Sequence, residues 1–269
     1  MTTTGPAAPV RLELDHERRV AHIVLARENT GNAFELDFIR ALRDAVRQVA
    51  DLTRDTAPGS MAAVLLRAEG RNFSVGGNLR EFAAQGDDVG PYVRELADTA
   101  HSAVLALAGL QVPVVAEVRG AVAGGGVGLA LTADLIVAAR STKLRLAYTA
   151  IGLTPDCGTS WFLPRMLGEQ RALDLTLTNR TLTPAEAERW GLFSRVVDDA
   201  DAPLVAEELA GTLAAGHGSA LRRAKLLMRD RGLAGLRERL ELEAVLIAEA
   251  AARPEARAAA KRFLGLTAR

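Results

Sequence analysis

Two short β-prone runs open the chain, Arg11 to Leu14 and Val20 to Leu25, and the charged stretch Asp15-His16-Glu17-Arg18-Arg19 between them predicts a hairpin. Leu36, Ile39, Leu42, Val46 and Val49 then recur at helical spacing, so Glu35 to Leu52 is predicted as a helix, with Asn32-Ala33-Phe34 leading into it. Thr53 to Ser60, which holds Pro58 and Gly59, reads as a loop. Ala62 to Arg67 and Val112 to Val118 are compact apolar runs of the kind buried on both faces of a sheet, and Leu135 to Ala139 is a further strand. Between them, Gly86 to Gly90 is expected to be mobile, Tyr92 to Leu107 is a helix carrying His101, and Val127 to Ala133 is a short helix. Strand and helix alternate through this half, which predicts α/β layers. From Pro184 onward the pattern is helical: Pro184 to Trp190, Pro203 to Ala215, Ala220 to Arg229 and Leu233 to Ala252. Thr183, followed by Pro184 and Glu186, marks a helix start with the threonine as cap. The expected organisation is an α/β core over 1–200 and a C-terminal helical region over 201–269.

Charge and composition remove several classes of function. Lys plus Arg and Asp plus Glu number 33 each, so the net charge is zero and nothing advertises a polyanionic partner. Aromatic residues make up only 4% and no basic stripe is interleaved with stacking rings, which argues against nucleic acid. No apolar run approaches the ~20 residues needed to span a bilayer. Met1 to Pro9 is small and uncharged, without the charged-then-apolar order of a secretory signal. Cys157 is the single cysteine, so an internal disulfide is impossible and a cysteine-rich zinc site is excluded. A cytoplasmic protein with no membrane or nucleic-acid partner is expected.

Two glycine-rich turns, each following a strand, carry the candidate chemistry. In Gly124-Gly125-Gly126 a strand hands over to a helix. Glycine lets a ligand atom approach the backbone, and a helix N-terminus presents unpaired N–H groups with partial positive charge. A phosphate fits such a place, and so does the oxygen of a polarised thioester carbonyl. The dinucleotide fingerprint fails because position 129 is leucine, and no Gly-Lys-Ser/Thr follows to make a P-loop. Close packing of helix on strand is the purely structural use of the same glycines. Ser74-Val75-Gly76-Gly77 is the second such turn.

Asn72-Phe73-Ser74-Val75-Gly76-Gly77-Asn78-Leu79-Arg80-Glu81-Phe82 resembles the first signature of the crotonase (enoyl-CoA hydratase/isomerase) superfamily, and Val114 to Gly126 resembles its second. The likeness runs from about Arg11 to Leu264. It implies a crotonase-like ββα superhelix core with a C-terminal helical region, an acyl-CoA thioester substrate, no cofactor beyond the coenzyme A of the substrate, no metal, and a homotrimer or hexamer. It also implies that two backbone N–H groups, one per signature, hold the thioester oxygen as it gains enolate or tetrahedral character. By position these map to Gly125 and to the turn from Val75 to Gly77, and one such donor is worth ~3 kcal/mol of barrier. Gly76, Asn78, Leu79, Gly124 and Tyr148 would surround the substrate. The sequence departs from the signatures at Asn78, where an acidic residue is usual, and at Arg119, where asparagine is usual.

The hydratases of the superfamily add water with two glutamates. Their positions are Gly128 and Tyr148 here, so ordinary hydration is disfavoured. Asp156, in Ile151-Gly152-Leu153-Thr154-Pro155-Asp156-Cys157-Gly158, instead resembles the acid/base of the phenylacetyl-CoA ring-epoxide isomerase branch and the nucleophile of the 4-chlorobenzoyl-CoA dehalogenase branch. An apolar pocket favours the protonated form of a carboxyl and suits it to proton transfer. The structural alternative is a plain turn residue after proline. His101 lies 24 residues before Gly125 and Asp156 lies 31 after it, spacings that match the dehalogenases, where the histidine activates water; a partly exposed histidine on a helix is the alternative. The ring-lined pocket of those enzymes does not match, since Ala100, Gly77, Asn78 and Tyr148 leave a single ring. An isomerase acting through a thioester enolate is therefore the leading expectation. A hydrolytic Asp/His enzyme (thioesterase or dehalogenase) and a catalytically lapsed acyl-CoA-binding subunit are the alternatives.

Overall fold

The computed structural model describes residues 8–54, 60–229 and 233–266. Most of the Met1 to Pro9 segment and the centre of the loop expected over Thr53 to Ser60 lie outside the described residues. In chain order the elements are β1 (Val10–Asp15), β2 (Val20–Leu25), α1 (Leu36–Leu52), β3 (Ala63–Ala68), α2 (Leu79–Ala84), α3 (Val89–Ala108), β4 (Val114–Val118), β5 (Ala121–Ala123), α4 (Gly125–Leu131), β6 (Leu135–Ala139) and β7 (Lys143–Arg145). They continue with α5 (Thr159–Leu167), α6 (Glu169–Thr178), α7 (Pro184–Arg189), β8 (Arg195–Val197), α8 (Ala202–Ala215), α9 (Gly218–Arg229), α10 (Leu233–Ala252) and α11 (Pro254–Phe263).

The predicted hairpin forms, with Val10 opposite Leu25 and Asp15 opposite Val20. From β2 onward the sheet is parallel, in the order β1-β2-β3-β4-β6-β8. Side chains alternate across each strand, so the sheet has two buried faces. Ala21, Ile23, Leu25, Val64, Leu66, Val114 and Ala116 belong to the main core, together with Phe38, Ile39 and Leu42 of α1 and Val104 and Leu107 of α3. Val20, Leu65, Val115 and Val137 point the other way, onto Ala206, Leu209 and Ala210 of α8. Burial on both sides explains why these strands read as continuous apolar runs rather than as alternating ones.

Several features differ from the expectation. Beyond Val118 the chain turns and forms a separate two-stranded parallel sheet, in which Ala121 to Ala123 pair with Lys143 to Arg145. The stretch expected to be mobile, Gly86 to Gly90, forms a 3-10 turn at Gly86–Asp88 and the first two residues of α3. Helices α2, α5, α6 and α11 were not anticipated. The Thr183 cap is present as a full capping box: the Glu186 amide donates to the threonine Oγ1, and the Glu186 carboxylate accepts from the Thr183 amide. The C-terminal helices lie over the core. Helix α8 covers one sheet face, α9 is pinned by Lys225 and Arg229 to Asp134, and α10 runs along α3.

Candidate active site

The first glycine turn is wedged between two neighbours, and the hydrogen bonds it makes decide which of its amides is free. Ser74 bridges to β5, its N–H donating to Ala121 O (3.2 Å) and its carbonyl accepting from Ala123 N (2.9 Å). On the opposite side Val75 N donates to Gly31 O at 3.1 Å, and Gly76 N donates to Ser74 Oγ at 3.2 Å. Phe34 then pairs across Gly77, donating to Gly76 O (2.7 Å) and accepting from Asn78 N (3.1 Å). In a parallel bridge of this kind the central residue on the other strand turns its own N–H away. Gly77 N–H consequently has no partner among the described residues. Val75, expected as a possible oxyanion donor, is excluded because Gly31 already takes its N–H.

Gly125 is the first residue of α4, so its N–H has no acceptor within the helix. The two turns touch at Gly76, whose φ of +79° suits glycine. A side chain there would place its Cβ 3.2 Å from Gly125 N and 2.8 Å from Ala123 O. Gly76 therefore packs beneath the site rather than facing a ligand, while Gly77 and Gly125 line the same cavity.

That cavity has a volume of about 1160 Å³. Asn29, Arg80, Lys143, Arg145 and Arg262 are exposed at its edge, whereas Phe82, Val93, Leu96, Ala97, Ala100, Leu153 and Ile247 are buried along its wall. Asn78, Leu79, Gly124 and Tyr148 also line it, and Phe34, Phe82 and Phe263 add three rings to that of Tyr148. Asp156 is the sole carboxylate among the lining residues. It is half-buried, and its Oδ1 accepts a 2.5 Å hydrogen bond from the Tyr148 hydroxyl. Burial raises the Tyr148 phenol well above its ordinary range, with the Asp156 charge adding to the effect, so the tyrosine stays a donor.

His101 stands differently. It is buried on α3, and its Nε2 accepts the Cys157 N–H at 3.0 Å. Burial lowers its pKa and keeps the ring neutral, against the pull of the Asp156 charge. It does not line the large cavity; it borders a second one of about 940 Å³ between α3 and α10. Glu243 of α10, which sequence reasoning missed, reaches the same turn and accepts from Gly158 N (2.8 Å), Ser160 N (3.1 Å) and Ser160 Oγ (2.6 Å). Its signal was present: Leu240, Ala244 and Ile247 form the buried stripe of α10, and position 243 falls on that stripe. His101, Asp156 and Cys157 offer ligand-type atoms within 4.8 Å of one another. The imidazole lone pair is already engaged and burial holds the thiol protonated, so the trio fits a hydrogen-bonded turn better than a cation.

The departures from the signatures have local explanations. Asn78 caps α2 through Oδ1 and donates Nδ2 to Glu35 Oε1 at 2.6 Å, a place where a carboxylate would meet another carboxylate. Arg119 turns its guanidinium onto the buried Glu117, away from the glycine turn. Gly128 has no room for any side chain, because a Cβ would sit 2.8 Å from the Cys157 carbonyl carbon and closer still to its oxygen.

Residues 15–265 match the family model described as enoyl-CoA hydratase/isomerase. The chain is 34% identical over 199 residues to the 1,2-epoxyphenylacetyl-CoA isomerase of Escherichia coli, covering 74% of each. It is 32% identical over 205 residues to 4-chlorobenzoyl coenzyme A dehalogenase-2 of an Arthrobacter species, covering 76% of this chain and 72% of that one. The crystal structure of an enoyl-CoA hydratase from Mycobacterium avium subsp. paratuberculosis superposes with a TM-score of 0.83 at 28% identity, over 96% of this chain and 99% of that one. A match across nearly the whole chain, on a fold and a pair of glycine turns of the expected kind, makes this protein a member of the enoyl-CoA hydratase/isomerase (crotonase) family of acyl-CoA enzymes.

Proposed function

We propose that the protein is an acyl-CoA isomerase that moves a double bond, or rearranges a ring, through a thioester enolate. The thioester oxygen accepts from the Gly77 and Gly125 amides, each worth ~3 kcal/mol as negative charge develops on that oxygen. The Asp156 oxygen that is not tied to Tyr148 removes a proton from the carbon α to the carbonyl. The C–H electron pair moves into the enolate, and the carboxyl returns the proton at the γ carbon, so nothing is gained or lost overall. Tyr148 holds the carboxylate in place throughout.

The observation that carries this reading is the single lining carboxylate, oriented by Tyr148 in a cavity shared with two unpaired amides. Hydration by two glutamates is disfavoured, since Gly128 cannot accept a side chain and Tyr148 occupies the second position. The hydrolytic alternative needs His101 as a base for water, but its Nε2 is occupied by the Cys157 amide. We therefore assign His101 a positioning role. We also infer a homotrimer or a pair of trimers, supported by the exposed Leu226, Leu227 and Met228 on α9, which sedimentation would test.

The test is turnover of a β,γ-unsaturated hexenoyl-CoA, followed by the ultraviolet absorbance of the conjugated product. Asp156→Asn should bind the thioester and not turn it over; full activity in that variant would refute the mechanism. Incorporation of label from heavy-oxygen water into product or Asp156 would favour hydrolysis instead. Binding without turnover across a panel of acyl-CoA thioesters would indicate a lapsed binding subunit.

A further inference from the structure

The turn that carries Asp156 is held in an uncommon backbone conformation. Cys157 (φ 54°) and Gly158 (φ 77°) are consecutive left-handed residues. A non-glycine residue there is strained and persists only where the surroundings determine it. Here two buried side chains from different helices do so. His101 of α3 takes the Cys157 amide, and Glu243 of α10 takes the Gly158 and Ser160 amides together with the Ser160 hydroxyl. Glu243 meets donors alone, the pattern of an ionised carboxylate, and the nearest possible cation among the described residues is His101, 3.9 Å away, which is neutral.

We propose that Glu243 is a positioning residue for Asp156: its charge grips the amides of the turn and so fixes the Asp156 carboxylate opposite the Gly77 and Gly125 amides. This rests on the isomerase reading above. It makes the C-terminal helix α10 part of the active-site scaffold as well as of its wall, where Ile247 lies one turn further on. Ionisation links the grip to pH. Burial raises the Glu243 carboxyl to about 7; the Ser160 and Gly158 donors oppose this and the Asp156 charge adds to it. The titratable groups that face it are His101 from α3 and Asp156 and Cys157 from the turn; α5 contributes the Ser160 hydroxyl and amide. Burial keeps His101 neutral by lowering its pKa and Cys157 neutral by raising its pKa.

The experiment measures kcat and KM for β,γ-hexenoyl-CoA from about pH 5.5 to 9 in the full-length protein. A misplacement of about 1 Å costs up to ~10²-fold in rate, so Glu243→Gln should lose kcat on that scale with KM within about twofold. It should also lack the wild-type fall in kcat below about pH 7. A Glu243→Gln protein with lower thermal stability but wild-type kcat and pH profile would overturn the proposal and leave Glu243 a plain helix cap. Ser160→Ala removes one donor and keeps the charge, so its acid limb should move to higher pH. An unmoved limb would overturn the proposal even if the Gln variant failed to fold. Asp156→Asn is assayed alongside. If it is active, the isomerase reading itself fails; if it is inactive while Glu243→Gln is unaffected, this inference alone fails.

Discussion

Gly128 lies within α4 with ordinary helical backbone, so Gly128→Ala would by itself gain up to about 1 kcal/mol of helix propensity. The added methyl would sit 2.8 Å from the Cys157 carbonyl carbon and from Cys157 Cβ, and nearer to its carbonyl oxygen. The nearest atom, the carbonyl oxygen, would lie far inside the about 3.3 Å of an ordinary carbon–oxygen contact, so the turn must retreat by about 1 Å. None of the three atoms is the end of a flexible side chain, and the Cys157 amide is anchored on His101. Overpacking of this kind costs about 1–3 kcal/mol. With backbone atoms forced to move, the upper end of that range applies, so after the propensity gain a net destabilisation of about 2 kcal/mol remains, or a fall in melting temperature of about 4–8 °C. Displacing Asp156 by a similar distance should lower kcat by up to ~10²-fold. Urea denaturation and turnover of β,γ-hexenoyl-CoA measure both. A Gly128→Ala protein as stable and as active as wild type would refute the steric reasoning. Gly128→Glu, which installs the hydratases' first carboxylate, should fail to hydrate crotonyl-CoA for the same reason.

Tyr148→Phe removes the hydrogen bond that orients Asp156; kcat should drop about tenfold while thioester affinity, read by calorimetry, changes little. Asn78→Asp sets a carboxylate against Glu35, so it should cost about 1–2 kcal/mol near neutral pH, and the loss should be recovered in a double variant with Glu35→Gln. The Glu243 carboxyl is raised from 4.5 to about 7 on folding, so the stability it contributes is fully present below about pH 4.5 and is lost as pH rises through about 7. Denaturation of wild type should show that decline, and Glu243→Gln should flatten it.

The hairpin, α1, β3, α3, β4 and the Thr183 cap were legible because each carries a strong local signal: sustained periodicity, a long apolar run, or a capping box. Strands β5, β7 and β8 are three residues each, too short for any period to register, and their pairing is long-range. Helices α5 and α6 are short and meet at Gly168, with Pro164 inside the first, which masked them. At the site, the glycine turns and Asp156 were visible as motifs, but which amide stays free was not. Val75 lost its N–H to Gly31, a neighbour 44 positions away in the chain, and no pattern around Val75 announces that. His101 was found by spacing, yet its role depends on the Cys157 amide that occupies Nε2.

The most direct test of the central claim is the vibrational frequency of a bound thioester. With the carbonyl carbon isotopically labelled, difference infrared spectra of hexanoyl-CoA should show the C=O stretch at lower frequency on the protein than in water. The shift should be equal in Asp156→Asn, because the donors are the backbone amides of Gly77 and Gly125. A carbonyl band left at its aqueous frequency in both proteins would contradict the account.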